Sequence, residues 1–288
     1  MEQWASEIDY WEIHGALEPS IRRPPARNVV VLSNISHGEQ TSPGTHGVTI
    51  RYVARGCENY RIGGRGCRLE AGQVMIAPHH GGAECEVRRV EQSGTLGVCT
   101  LVRGTPEELT WLQGPLVFGA RNSTLNALMS RGTSALHAAQ RPKLDVARTL
   151  IAALKMELPG IARNVLDQAA AVTGAKASTR FETVRRANLA KDYLDSNPGR
   201  AIELVEVALV AGISPFRLLT AFQQCFRETP ASYHRKLRLR LALEEARRRR
   251  VPISAVVDEF GFACASSFSH AYRRAFGHAP VWSKTGGS

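Results

Sequence analysis

The chain has 288 residues, enough for two domains, and 43% of them are hydrophobic, an ordinary share for a globular protein. Its net charge of +11 suits a polyanionic partner, whereas no apolar stretch approaches the ~20 residues of a membrane span. The six cysteines form no C-x-x-C pair and the start MEQWASEIDY lacks a signal-peptide pattern, so the composition argues against a membrane or disulfide-framework protein and predicts reduced, mostly buried thiols in the cytoplasm.

Residues 1–104 read as β. NVVVLS (28–33), GVTIRYVA (47–54), NYRI (59–62), GQVMIA (72–77), ECEVRRV (84–90) and LGVCTLV (96–102) are short β-rich runs parted by Gly and Pro clusters. In GVTIRYVA, Val48, Ile50 and Tyr52 alternate with Thr49, Arg51 and Val53, which places the two sets on opposite faces. Gly63, Gly64 and Gly66 mark a hairpin turn. RLEAGQVMIAP resembles the turn and strand of a cupin or jelly-roll barrel, a fold that commonly encloses a ligand. Metal cupins present a His-x-His pair with a carboxylate and a further His. His37, His46, His79 and His80 form no such pair, and His79 and His80 would point to opposite faces of a strand. No metal, cofactor or catalytic set is therefore expected. The residues do not identify an effector site, since Tyr52 and Tyr60 suit a barrel lining and a packed core equally.

Residues 105–180 turn helical. Thr105, Pro106, Glu107 and Glu108 read as an N-cap, a proline at the first helical position and an acidic first turn. Leu144, Ala147, Ile151, Leu154 and Leu158 follow a 3-4-3-4 spacing, a short heptad seam. Pro159-Gly160 is expected to break it before a second apolar helix from Ile161 to about Val172. The seam can face a second copy or the chain's own barrel. TGAKAST (173–179) reads as a linker, and a helix is expected from Phe181 to Asp195.

The C-terminal stretch contains a repeat. AGISPFRLLTAFQQCFRETPASY (211–233) matches GFACASSFSHAYRRAFGHAPVW (261–282): Phe222, Phe226 and Pro230 correspond to Tyr272, Phe276 and Pro280 at an offset of 50, and Gly212 to Gly261 at 49. Ile202, Val205, Ala208 and Leu209 stripe a helix before Gly212; Ile253, Val256, Val257 and Phe260 predict one before Gly261. Each glycine supplies the turn between two helices. In the second copy an apolar face of Phe268, Tyr272 and Phe276 opposes Ser266, Ser267, His270, Arg273 and Arg274, the arrangement that major-groove reading requires. Thr229 and Pro230 read as the cap and first residue of a helix reaching Arg250, about 30 Å long. That nearly spans the ~34 Å between successive major-groove faces. Residues 180–288 hold 18 Lys and Arg against 10 Asp and Glu, a net of +8, so the positive surplus lies with the repeat.

Three motifs over roughly residues 181–283 resemble the AraC/XylS transcriptional regulators: GIS-P-x-x-L-x-x-x-F, then P-x-x-Y-x-x-x-L-R-L-x-x-A (Pro230 to Ala242), then GF-x-x-x-S-x-F-x-x-x-Y-R-R-x-F-G-x-x-P (Gly261 to Pro280). The chain departs from that family at Arg227, where glycine is usual, at His270, where arginine is usual, and at Trp282-Ser283, where an aromatic-arginine pair is usual. The resemblance implies an α+β chain: a cupin/jelly-roll-like sensor barrel (1–104), a helical dimerisation segment (105–175), a linker (176–180) and an all-α DNA-binding domain (181–288). Two helix-turn-helix units, about 202–226 and 253–276, would be joined by a long helix. By matching positions, Phe216, Leu219, Thr220, Gln223, Ala265, Ser266, Ser267 and His270 would read bases. Arg217, Arg247, Arg248, Arg249, Arg250, Arg273 and Arg274 would hold phosphates, although the arginine run also suits a helix C-terminus. Leu144, Ile151, Leu154 and Leu158 would form the dimer seam. The implied partners are double-stranded promoter DNA, RNA polymerase, a small-molecule effector and a second copy, and the implied role is that of an activator, not an enzyme. Two alternatives stand beside it: a regulator whose ligand-free barrel serves dimerisation or binds a regulatory protein, and a cupin-type enzyme fused to a DNA-binding module.

Overall fold

The computed structural model describes residues 8–16, 27–62 except 43–46, 64–78, 83–87, 94–104, 111–112, 114–119, 124–138, 142–174 and 176–281. The expected order of β elements, helices and an all-α C-terminal part is observed, and the chain divides into two compact units, Met1–Leu189 and Ala190–Ser288.

In the first unit, strands β1 (Ile8–Ala16), β2 (Asn28–Ser42), β3 (Gly47–Arg55), β4 (Cys57–Ile62), β5 (Arg65–Glu70), β6 (Val74–Pro78), β7 (Ala83–Val87), β8 (Thr95–Arg103) and β9 (Leu116–Phe118) run in the order β5-β4-β7-β2-β8-β3-β6-β9, with β1 parallel to β2. The ladder of β3 with β8 encloses that of β4 with β7, the nesting of a rolled sheet. β4 and β5 pair as an antiparallel hairpin, with Ile62 opposite Arg65. The β3 alternation is present, but both of its faces are buried. Ile50 and Tyr52 lie under helices, whereas Val53 joins Met75, Ala77 and Val117 on the opposite face. Arg51 shares that second face and is buried with Glu58. Its Nε donates to Glu58 Oε2 at 2.7 Å, and Tyr60 (2.5 Å) and Thr95 (2.9 Å) add hydroxyl donors to the same carboxylate. Burial alone would raise the Glu58 carboxyl; the charge and hydrogen bonds of Arg51 outweigh it and keep Glu58 ionised. The six β-rich runs of the sequence omit β1 and, apart from the hairpin glycines before it, β5, and β9 lies in the stretch 105–180 that reads as helical.

Helices α1 (Thr124–His137) and α2 (Lys143–Ala171) pack on this sheet. The predicted break at Pro159-Gly160 does not occur: α2 runs unbroken through both residues. Proline removes one hydrogen bond, and Pro159 sits on the exposed side while Ile151, Leu154, Val165 and Ala169 continue one buried stripe. Ile151 and Leu154 are thus spent on the chain's own core, and of the expected dimer seam only Leu144 is exposed and Leu158 half-buried. The predicted helix start at Thr105 lies outside the described residues. The linker is shorter than expected, because α3 (Ala177–Ser196) starts four residues before Phe181; its residues up to Leu189 belong to the first unit.

The second unit holds the end of α3, α4 (Leu204–Ala211), α5 (Pro215–Phe226), α6 (Pro230–Arg249) and α7 (Ala265–Phe276). α4 ends at Gly212 with φ +65°, and Ser214 with Pro215 starts α5, the Ser214 hydroxyl accepting the Arg217 amide. Thr229 and Pro230 start α6 in the same way. Two apolar clusters form. One gathers Ala190, Leu194, Val207, Ala208, Leu218 and Phe222, and the other Leu239, Leu243, Ile253, Val256, Phe268 and Tyr272. The helix predicted before Gly261 is replaced by two 3-10 turns, Ile253–Ala255 and Asp258–Phe260. Ile253, Val256 and Val257 are β-branched and all buried, and Val256 leaves helical geometry at φ −131° to seat them.

Candidate nucleic-acid interface

Each helix-turn-helix presents its second helix with one face buried and the other open. On α5, Leu218, Ala221 and Phe222 are buried while Phe216, Arg217, Thr220 and Gln223 are exposed and Leu219 is half-buried. Phe216 is 80% exposed, an unusual fate for a ring with no structural duty. On α7, Phe268 and Tyr272 are buried. Ser266, Ser267, His270, Arg273 and Arg274 are exposed, and Ala265 is half-buried.

Several of these groups already have work to do. Ser267 Oγ donates to the Cys264 carbonyl at 2.7 Å and accepts the Cys264 amide at 3.2 Å, closing the N-terminus of α7. The Thr220 hydroxyl donates to the Phe216 carbonyl at 3.2 Å. In the run after Ala246, Arg247 donates to the Val281 carbonyl at 2.6 Å, Arg248 pairs with Glu245, and Arg249 bridges Glu245 and Glu259. Exposed ion pairs of this kind contribute about 0–1 kcal/mol, so a phosphate can compete for the same guanidinium groups. Among the described residues no side-chain partner is found for Arg217, Arg250, Arg273 or Arg274.

One group at this surface escaped the sequence reading. Cys264 occupies the cap position of α7, exposed, with Ser266 Oγ 3.0 Å from its Sγ. Hydrogen bonds from Ser266 and then from the Ser267 amide lower its thiol to about 7. Only its place four residues before Phe268, where a cap belongs, signalled this. The expectation of mostly buried thiols fails here, and Cys57, Cys67, Cys99 and Cys225 are half-buried.

A helix-turn-helix domain family matches residues 207–281, which takes in both turns and both exposed helices. The C-terminal domain is an AraC-type helix-turn-helix domain. The chain is 32% identical over 93 residues to the probable transcriptional regulator LumQ of Photobacterium leiognathi, a stretch that is 32% of this chain and 38% of that one. The chain thus spans well under half of that regulator. Among solved structures it is similar to the C-terminal domain of AraT, a response regulator from Geobacillus stearothermophilus (20% identity, TM-score 0.31, 35% of this chain and 91% of that one). It is also similar to apo ToxT K231A from Vibrio cholerae (12% identity, TM-score 0.32, 90% and 97%). Within the AraC-type domain the two exposed helix faces differ in chemistry: α5 offers an aromatic ring, an aliphatic side chain and an amide, and α7 offers hydroxyls, an imidazole and two guanidinium groups.

The first unit carries a pocket of about 510 Å³ at one end of the helix-covered sheet face. Val48, Val102, Trp111 and Leu158 give it an apolar wall, and Arg103 and Lys155 stand at it. Among the described residues no three His, Cys, Asp or Glu side chains gather as a metal site would need, and His46, His79 and His80 lie outside those residues. No single described helix is long and apolar enough to cross a membrane.

Proposed function

We propose that the chain is a sequence-specific, promoter-binding regulator of transcription in the cytoplasm, an activator that works with RNA polymerase and whose first unit takes a small-molecule effector. The observation that carries this reading is the pair of exposed recognition faces, on α5 and α7, in one basic domain of AraC type. The pocket at Val48, Trp111 and Lys155 supports effector control through the first unit. Met156, 82% exposed on α2, together with Leu144 and Leu166, favours a second copy as a further partner through the outward side of that helix.

The experiment is a binding-site selection from random duplex DNA, followed by two substitutions measured on the selected site. Arg273→Ala removes a phosphate contact, so affinity falls on every sequence and the salt slope flattens by about 1. His270→Ala removes a base contact, so preference relaxes at one base pair. The same loss from both variants on every sequence overturns the division of roles, and no selected sequence overturns the proposal.

A further inference from the structure

The two apolar clusters of the second unit share one helix, α6: Tyr233 packs on the first cluster, and Leu239, Ala242, Leu243 and Ala246 belong to the second. A helix fixes the distance between two lobes but leaves bending and twist between them soft. The structure adds a contact beside it. His234 and Arg238 are one helical turn apart on α6 and both are buried. His234 Nε2 lies 3.0 Å from the Asn197 carbonyl and donates to it, which holds the turn that leads into α4. Arg238 Nε donates to the Phe260 carbonyl and Nη2 to the Gly261 carbonyl, both at 2.7 Å, and the guanidinium lies 4.8 Å from the centre of the Phe262 ring. Those carbonyls end the 3-10 turn that leads into α7.

The two turns meet. A Cβ on Gly199 would lie 3.3 Å from the Glu259 carbonyl oxygen; one on Gly261 would lie 3.2 Å from Arg200 Cα and 2.7 Å from Arg238 Nη2. Gly261 therefore has two reasons to lack a side chain, its φ of +70° and the room the guanidinium takes. A planar donor fork with two carbonyls on one side and a ring on its face resists rotation as well as separation.

We infer that Arg238 is a positioning residue, assisted by His234, that fixes the rotation of α7 relative to α5 and so sets the number of base pairs between the two DNA boxes that one chain reads. This rests on the reading that both helices enter DNA. One added base pair moves the second box by about 3.4 Å and about a tenth of a turn, which a locked pair of readers cannot follow without bending the duplex.

The test uses the full chain and the duplex selected by the wild type, remade with one base pair fewer and one more between the boxes, and with the second box scrambled. The wild type is expected to lose about tenfold on either spacing change. Arg238→Ala should lose affinity at the native spacing, bind the scrambled-box duplex as the wild type does, and discriminate among spacings by less than about threefold; Arg238→Lys, which keeps one donor contact, should fall between. A uniform loss with tenfold discrimination retained overturns the inference. Where circular dichroism shows Arg238→Ala unfolded, Arg238→Gln decides on the same duplexes, and loss of helix in both variants also overturns it. If scrambling the second box costs the wild type nothing, it is the two-groove reading that has failed.

Discussion

Phe216 is 80% exposed, and no packing in the fold accounts for it. It stands at the second position of α5. An apolar ring in a major groove meets the one apolar group displayed there, the C5 methyl of thymine. Replacing the thymines of the first box by uracil is expected to weaken wild-type binding by about 1 kcal/mol per methyl contacted and to leave Phe216→Ala unaffected. Equal sensitivity in both proteins would assign the methyl to another residue. Cys264 yields a second residue-scale prediction. With its thiol lowered to about 7, it is half thiolate at neutral pH, whereas burial lifts Cys67 to about 11 and Cys225 to about 12. Iodoacetamide at pH 7.5 should therefore modify Cys264 ahead of those two, with the rate falling about tenfold per unit once the pH is below 7. Mass spectrometry of a time course reads both, and prior binding of duplex DNA should slow the reaction.

Arg227 and Gly261 occupy comparable left-handed positions, at φ +61° and +70°, and carry opposite residues. A side chain in that region costs about 1 kcal/mol, so Arg227→Gly is expected to raise the melting temperature of the second unit. Gly261→Ala should destabilise that unit by about 1–3 kcal/mol, and so lower its melting temperature, through the same strain plus the clash with Arg238. Thermal melts of the two variants test both signs. This contrast also shows what could be read from sequence. Thr229-Pro230 and Gly212 act locally, through a cap and a turn, and their elements lie where the residues placed them. The β4–β5 hairpin was legible for the same reason. The rest depended on distant partners. Ile151 and Leu154 show the spacing of an intermolecular seam, yet the sheet beneath them takes that face. Pro159 looks like a helix end until the buried stripe on both sides of it is known, and the 3-10 turns before Gly261 exist because three branched residues share one core. The exposed faces of α5 and α7 were visible as patterns of residue type, but the capping duty of Ser267 and the internal pairing of Arg248 and Arg249 were not, since each depends on coordinates of a neighbour.

At the scale of the whole chain, the positive surplus and the repeat share one compact unit and the pocket lies in the other, the division of labour that the proposed effector control of a DNA-binding domain would use. Within the second unit the separation goes one level further, because the two apolar clusters are joined through α6. That arrangement governs how the domain opens. A break in the cluster around Phe222 need not disturb the one around Phe268, so the domain should behave as two cooperative foldons with a helix between them. Native-state hydrogen exchange at rising urea should show the amides of α5 merging into one opening and those of α7 into another, with different slopes. The N-terminal turns of α6 should follow the first and its C-terminal turns the second. A single isotherm common to α5 and α7 would mean that the contact through Arg238 welds the pair into one folding unit.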